Sequence, residues 1–180
     1  FRYAYNFHPH QFGGIAVNVN GLTGTDKYRN VLIEGNRVEN VGRTGIVVWD
    51  HIFAKYDEAC TGVRIRKNSV KDIDSDGILT YGCDGALIEH NVADGCGSYR
   101  EDGGFNGSAA IWCTRGSNCI IQYNEAFNTH MLEGNADGTA FDIDIDAIDC
   151  IVQYNYSHDN EGGFMLFIDA SNSSGGIVNQ

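Results

Sequence analysis

The sequence predicts an all-β fold of the solenoid kind, a single domain over residues 1–180 with about six stacked coils between residues 12 and 168. Three observations carry that prediction. A strand-like segment closing on asparagine recurs five times, a second strand-like segment follows it in most repeats, and no apolar period of 3.6 residues lies between them. Coils built this way must stack their strands in parallel on the next coil.

The first segment reads Val31-Leu-Ile-Glu-Gly-Asn36, Val63-Arg-Ile-Arg-Lys-Asn68, Ala86-Leu-Ile-Glu-His-Asn91, Cys119-Ile-Ile-Gln-Tyr-Asn124 and Cys150-Ile-Val-Gln-Tyr-Asn155. Its closing asparagines are separated by 32, 23, 33 and 31 residues, a period of one coil. Alternation of apolar and polar residues turns Ile33, Ile65, Ile88, Ile121 and Val152 inward. Asn36, Asn68, Asn91, Asn124 and Asn155 are expected to form an internal amide ladder. The second segment includes Gly14-Ile-Ala-Val-Asn-Val19, Gly45-Ile-Val-Val-Trp-Asp50, Gly77-Ile-Leu-Thr-Tyr-Gly82, Ser108-Ala-Ala-Ile-Trp-Cys113, Gly138-Thr-Ala-Phe-Asp-Ile143 and Gly163-Phe-Met-Leu-Phe-Ile168. Here Ile15, Ile46 and Ile78 face the core.

Composition narrows the partners. Twelve Lys and Arg against 24 Asp and Glu give a net charge of −12, which repels nucleic acid and anionic lipid and favours neutral ligands or cations. No apolar run is long enough for a spanning helix. The six Cys form no C-x-x-C pair, so neither a zinc motif nor a redox motif is indicated; Cys119 and Cys150 share one inward column, where a vertical disulfide is open. Asp72-Ile-Asp-Ser-Asp76-Gly77 imitates the start of an EF-hand loop but lacks its acidic twelfth residue, and reads as a polar turn.

These repeats resemble the right-handed parallel β-helix, pectate-lyase-like superfamily, which includes many secreted bacterial carbohydrate-active proteins. The resemblance rests on the I-E-x-N and I-Q-Y-N turns, the G-I-x-V strands and the stretch Val152 to Phe164. It implies a right-handed solenoid, an extracellular, periplasmic or cell-surface setting and a polysaccharide or oligosaccharide partner. The chain is expected to be the central piece of a longer helix.

One outer face concentrates the candidates. Aligning the second segments puts Trp49, Tyr81 and Trp112 in an exposed aromatic row suited to sugar rings, with His51 and Arg115 nearby as further substrate contacts. Inserts at 20–30, 51–62, 97–107 and 129–138 are expected to wall a cleft around it. Strict alternation in Phe141-Asp-Ile-Asp-Ile-Asp146 exposes Asp142, Asp144 and Asp146. Carboxylates at i and i+2 stand roughly 6.5–7 Å apart, room for a water in glycoside hydrolysis. The expected acid/base pair is therefore Asp142 and Asp144, assisted by Asp169, Glu133 or His130. The alternatives are a calcium-dependent lyase, and a non-catalytic carbohydrate-binding or adhesin solenoid in which Asp142, Asp144 and Asp146 hold Ca2+. No other cofactor is implied.

Overall fold

A computed structural model describes residues 9–19, 27–50, 60–98, 108–131 and 137–168. Three parallel sheets run along a solenoid. The first contains β1 (Gly13–Val19), β4 (Thr44–Asp50), β8 (Ile78–Tyr81), β12 (Ile111–Thr114), β15 (Thr139–Ile143) and β18 (Gly163–Phe167). The second contains β2 (Leu32–Glu34), β6 (Arg64–Arg66), β10 (Leu87–Glu89), β13 (Ile120–Gln122) and β16 (Ile151–Gln153). The third contains β3 (Arg37–Val41), β7 (Ser69–Ile73), β11 (Val92–Cys96), β14 (Glu125–Phe127) and β17 (Tyr156–His158). A short pair, β5 (Cys60–Thr61) and β9 (Cys83–Asp84), fills one corner. Six rungs in one sheet and five in the others make complete circuits fewer than the six expected.

The inward columns are those the alternation predicts. Ile46, Ile78, Ile33, Ile65, Ile88 and Ile121 are buried in one continuous core, with Ile15 and Val152 packed against it. The asparagine ladder is also present. Asn91 accepts from the backbone and side-chain nitrogens of Asn68 through Oδ1, and its Nδ2 donates to Ile65 O and Asn124 Oδ1. The same pattern links Asn36 to Asn68 and Asn124 to Asn155.

Three expectations about the first sheet need correction. Tyr81 pairs with Thr114, and Trp112 pairs with Leu79, because Gly77 lies beside Ala110 and not beside Ser108; the backbone fixes this through Ile78 N donating to Ala110 O at 2.8 Å. Asp142 pairs with Leu166, a slip of one residue from the expected Phe167. Strand β15 ends at Ile143, and Asp146 sits in a turn with φ of 58°, so the three aspartates do not share one strand face. Register in these segments is set by the length of the preceding connection, which simple alignment on glycine does not see.

Candidate functional site

The site grows from the outer face of the first sheet. Asp76 precedes β8, and the next residue must be glycine: a Cβ on Gly77 would lie 2.3 Å from Ala110 O and 2.8 Å from Cys96 Sγ. Fixed there, the Asp76 carboxylate is fully buried and accepts from Trp112 Nε1 at 3.0 Å and Ser75 Oγ at 3.2 Å. Its third partner is His10 Nδ1 at 2.5 Å, supplied by the 3₁₀ turn Pro9–Gln11. Burial opposes charging His10, but the charge and hydrogen bond of Asp76 outweigh it and hold its pKa above the ordinary histidine value.

Three more carboxyls gather beside this pair. Asp142 lies near the end of β15 and Asp144 just beyond it, and Asp137 precedes the strand by way of Gly138, where a Cβ would lie 2.7 Å from Met131 Cβ. Asp142 is 4% exposed, and its Oδ1 has no hydrogen-bond partner among the described residues. Burial first, then the charges of Asp144, Asp137 and Asp76, push its pKa up to about 8. Its neutral form is thereby the favoured one at pH 7. Asp137 is half-buried and raised by burial and by Asp144 and Asp76. Asp144 is raised by burial too, but the Ile145 N–H at 2.6 Å, His10 and Arg115 all favour its charged form. The arrangement thus offers carboxyls of unequal acidity at one place, the requirement for general acid/base chemistry.

The aromatic residues do not form an exposed platform. Trp49 is 3% exposed and Trp112 7%. They pack with Val47, Leu79, Ala109 and half-buried Tyr81 in a second apolar cluster outside the solenoid wall. Trp49 stacks on Tyr81 at 3.9 Å between centroids, and His10 lies over Trp49 at 6.3 Å and edge-on to Trp112 at 5.6 Å. The His10 ring, carried by the Pro9–Gln11 turn, packs against both tryptophans, and the row is closed to solvent where the alignment predicts it open.

The other expected residues are dispersed. Arg115 lies 5.6 Å over the Tyr81 ring and pairs with Asp146 at 3.6 Å, which turns Asp146 toward Arg115 and takes it out of the expected metal set with Asp142 and Asp144. His130 pairs with Glu161 at 3.5 Å, and both line a cleft of about 460 Å³ with Lys71, Asp72, Asp94 and Asp159, none of which belongs to the carboxyl cluster. His51, Glu133 and Asp169 lie outside the described residues, as do most residues of the four inserts. Sequence reasoning missed Asp76, His10 and Asp137. The signal for two of them was an Asp-Gly step before the strand, seen at Asp76-Gly77 and Asp137-Gly138; nothing local marks His10.

Comparison with known proteins agrees with this architecture. The family model described as a right handed beta helix region matches residues 14–180. A lacto-N-biosidase of Bifidobacterium longum subsp. longum is 34% identical over 161 residues, covering 74% of this chain and 10% of that protein. The crystal structure of a GH136 lacto-N-biosidase from Eubacterium ramulus, in native and selenomethionine forms, superposes with a TM-score of 0.70 at 29% identity, over 82% of this chain and 26% of that one. The chain thus spans about a tenth of the curated relative and about a quarter of the solved one.

Proposed function

The chain belongs to the right-handed β-helix family, and from that premise we propose that it is the site-bearing segment of a glycoside hydrolase of the lacto-N-biosidase kind. The observation that carries the proposal is the group of carboxyls in unequal surroundings around the buried Asp142. The similarity to lacto-N-biosidases supports the reaction class and suggests an oligosaccharide bearing a lacto-N-biose unit.

Roles follow from accessibility and charge. A group that moves a proton at a glycosidic oxygen must touch it, and Asp142 is nearly enclosed whereas Asp137 and Asp144 are partly open. We assign Asp137 as the acid, since burial and two like charges favour its protonated form, with His10 the cation opposing them. Asp144, helped by an N–H donor and two cations, is the carboxylate that faces the developing oxocarbenium charge and acts as base or nucleophile. Asp142 keeps a proton inside the cluster, and Asp76 holds His10 and Trp112 as the wall. Of the two cations, Arg115 and Lys55, that the lyase reading would use as base, Arg115 is engaged with Tyr81 and Asp146, and Lys55 lies outside the described residues.

The test is hydrolysis of a chromogenic lacto-N-biose glycoside by the full-length protein. Asp137→Asn and Asp144→Asn should each lower kcat by about a thousandfold, and Asp142→Asn by much less. Loss of activity in Asp142→Asn with Asp137→Asn nearly normal would return the acid role to Asp142. Unsaturated, ultraviolet-absorbing products would restore the lyase, and binding without cleavage by the wild type would leave a carbohydrate-binding solenoid.

A further inference from the structure

Five of the six cysteines collect at one corner of the solenoid. Cys60 and Cys83 face each other across β5 and β9. One coil further, Cys113 at the end of β12 and Cys119 just before β13 are brought together by the tight turn between them, where Arg115 and Asn118 both have positive φ. Cys150 lies on the next rung beside Cys119, as the pairing of Ile120 with Ile151 requires. The Sγ atoms of Cys113, Cys119 and Cys150 all lie within 4.8 Å of one another, and all six cysteines are free thiols.

We propose that Cys113, Cys119 and Cys150 form a binding site for one soft, thiophilic metal cation. Metal–thiolate bonds of about 2.3 Å place the sulfurs of a trigonal or tetrahedral site about 4 Å apart, a contraction of less than an ångström from the arrangement seen. Soft cations prefer this donor set over the hard oxygen ligands that crowd the rest of this acidic surface. A covalent bridge fits less well. Cys119 and Cys150 are in-register neighbours on parallel rungs, so their side chains run side by side about 4.8 Å apart, beyond the Cβ separation of about 3.5–4.5 Å that a disulfide needs.

A cation binds such a site by displacing the thiol protons. Entry is open from one side, because Cys150 is only partly buried.

The experiment uses the reduced full-length protein titrated with Cd2+ under anaerobic conditions. A sulfur-to-cadmium charge-transfer band should rise to a plateau at one equivalent, persist in Cys96→Ala, and vanish in Cys150→Ser. The midpoint of thermal unfolding should rise with Cd2+ in the wild type and not in Cys150→Ser. Cys150 is the least enclosed of the three, so its serine variant is the one expected to fold; should far-ultraviolet dichroism show otherwise, Cys119→Ala replaces it. A band unchanged in the folded variant, or a wild-type protein whose thiols all react yet bind no Cd2+, would overturn the site. So would a peptide map of the unreduced protein in which Cys119 and Cys150 are joined.

Discussion

Two regions of this solenoid bury polar groups in opposite ways. In the asparagine ladder the same residue occurs on five rungs, and each buried amide finds its partners in the copies above and below. On the outer face of the first sheet successive rungs differ: Asp76, Trp112, Asp142 and His10 meet without any repeat, and one oxygen of Asp142 is left buried with no partner among the described residues. Repetition satisfies polar groups and builds scaffold. Where it stops, the fold holds carboxyls away from their ordinary charge state, which is what the proposed hydrolase site requires.

The largest test of this contrast is Asp142→Asn. A carboxyl raised to about 8 by burial costs the folded state on the order of 4 kcal/mol at pH 7, before relaxation trims the figure. The sign is fixed by the raised pKa: the unfolded chain gives up this proton near pH 4 and the folded chain only near pH 8, so stability falls as pH rises between them. The amide removes that loss. Denaturant unfolding should show Asp142→Asn more stable than wild type at pH 7 and nearly equal to it at pH 4; a loss at pH 7 would mean the carboxylate is tolerated there.

Asn91→Ala should act in the opposite direction, costing about 3 kcal/mol at any pH from 5 to 8. It strands the Ile65 carbonyl and two Asn68 donors, and leaves the Asn124 amide oxygen with the Asn91 backbone N–H alone, in a site that is 1% exposed at Asn91. The activity of the folded fraction should be unchanged, since the ladder touches no member of the carboxyl cluster. A matching fall in kcat per folded molecule would show that scaffold and site are coupled.

Much of the scaffold was legible for the same reason it is stable. One asparagine per coil and alternating isoleucines are local signals that five repeats reinforce, so the inward columns and the ladder follow from the sequence. The site was legible only in part. Asp142 and Asp144 stand out by alternation within their own strand, but the rows across strands depend on register, and a two-residue slip put Tyr81 beside Thr114. His10 reaches Asp76 across 66 residues of sequence, a contact that no pattern within a coil encodes. The expected aromatic platform fails as well: Trp49 and Trp112 are buried, with the His10 ring packed against both.

Removing that turn's anchor is the next test. His10→Ala leaves Asp76 buried with Trp112 and Ser75 alone, and should cost about 2 kcal/mol. Because the histidine pKa is raised by folding, the contribution of the pair is fully present below the unfolded value near 6.5 and is lost as pH rises through the folded one. The difference between His10→Ala and wild type should therefore shrink at alkaline pH. Tryptophan fluorescence should redden as Trp49 and Trp112 gain water; an unchanged spectrum would show that the turn does not shield them.

The smallest effect sharpens the comparison on the scaffold side, where repetition reaches the surface. Gly35, Lys67, His90, Tyr123 and Tyr154 each precede a ladder asparagine, and all have φ between 53° and 70°. Asparagine or glycine suits that conformation best, and a tyrosine there is strained by about 1 kcal/mol. The rings offset this by stacking: His90 on Tyr123 at 5.2 Å, and Tyr123 on Tyr154 at 5.3 Å. One stack is worth about 1 kcal/mol. Tyr154→Asn relieves the strain and loses one stack, so stability should change by less than about 0.5 kcal/mol. Tyr123→Asn relieves the same strain but loses two stacks, and should be less stable than Tyr154→Asn by about 1 kcal/mol. Equal stabilities for the two variants would mean that the surface rings contribute nothing, and that the repeat stabilises this molecule only where it is buried.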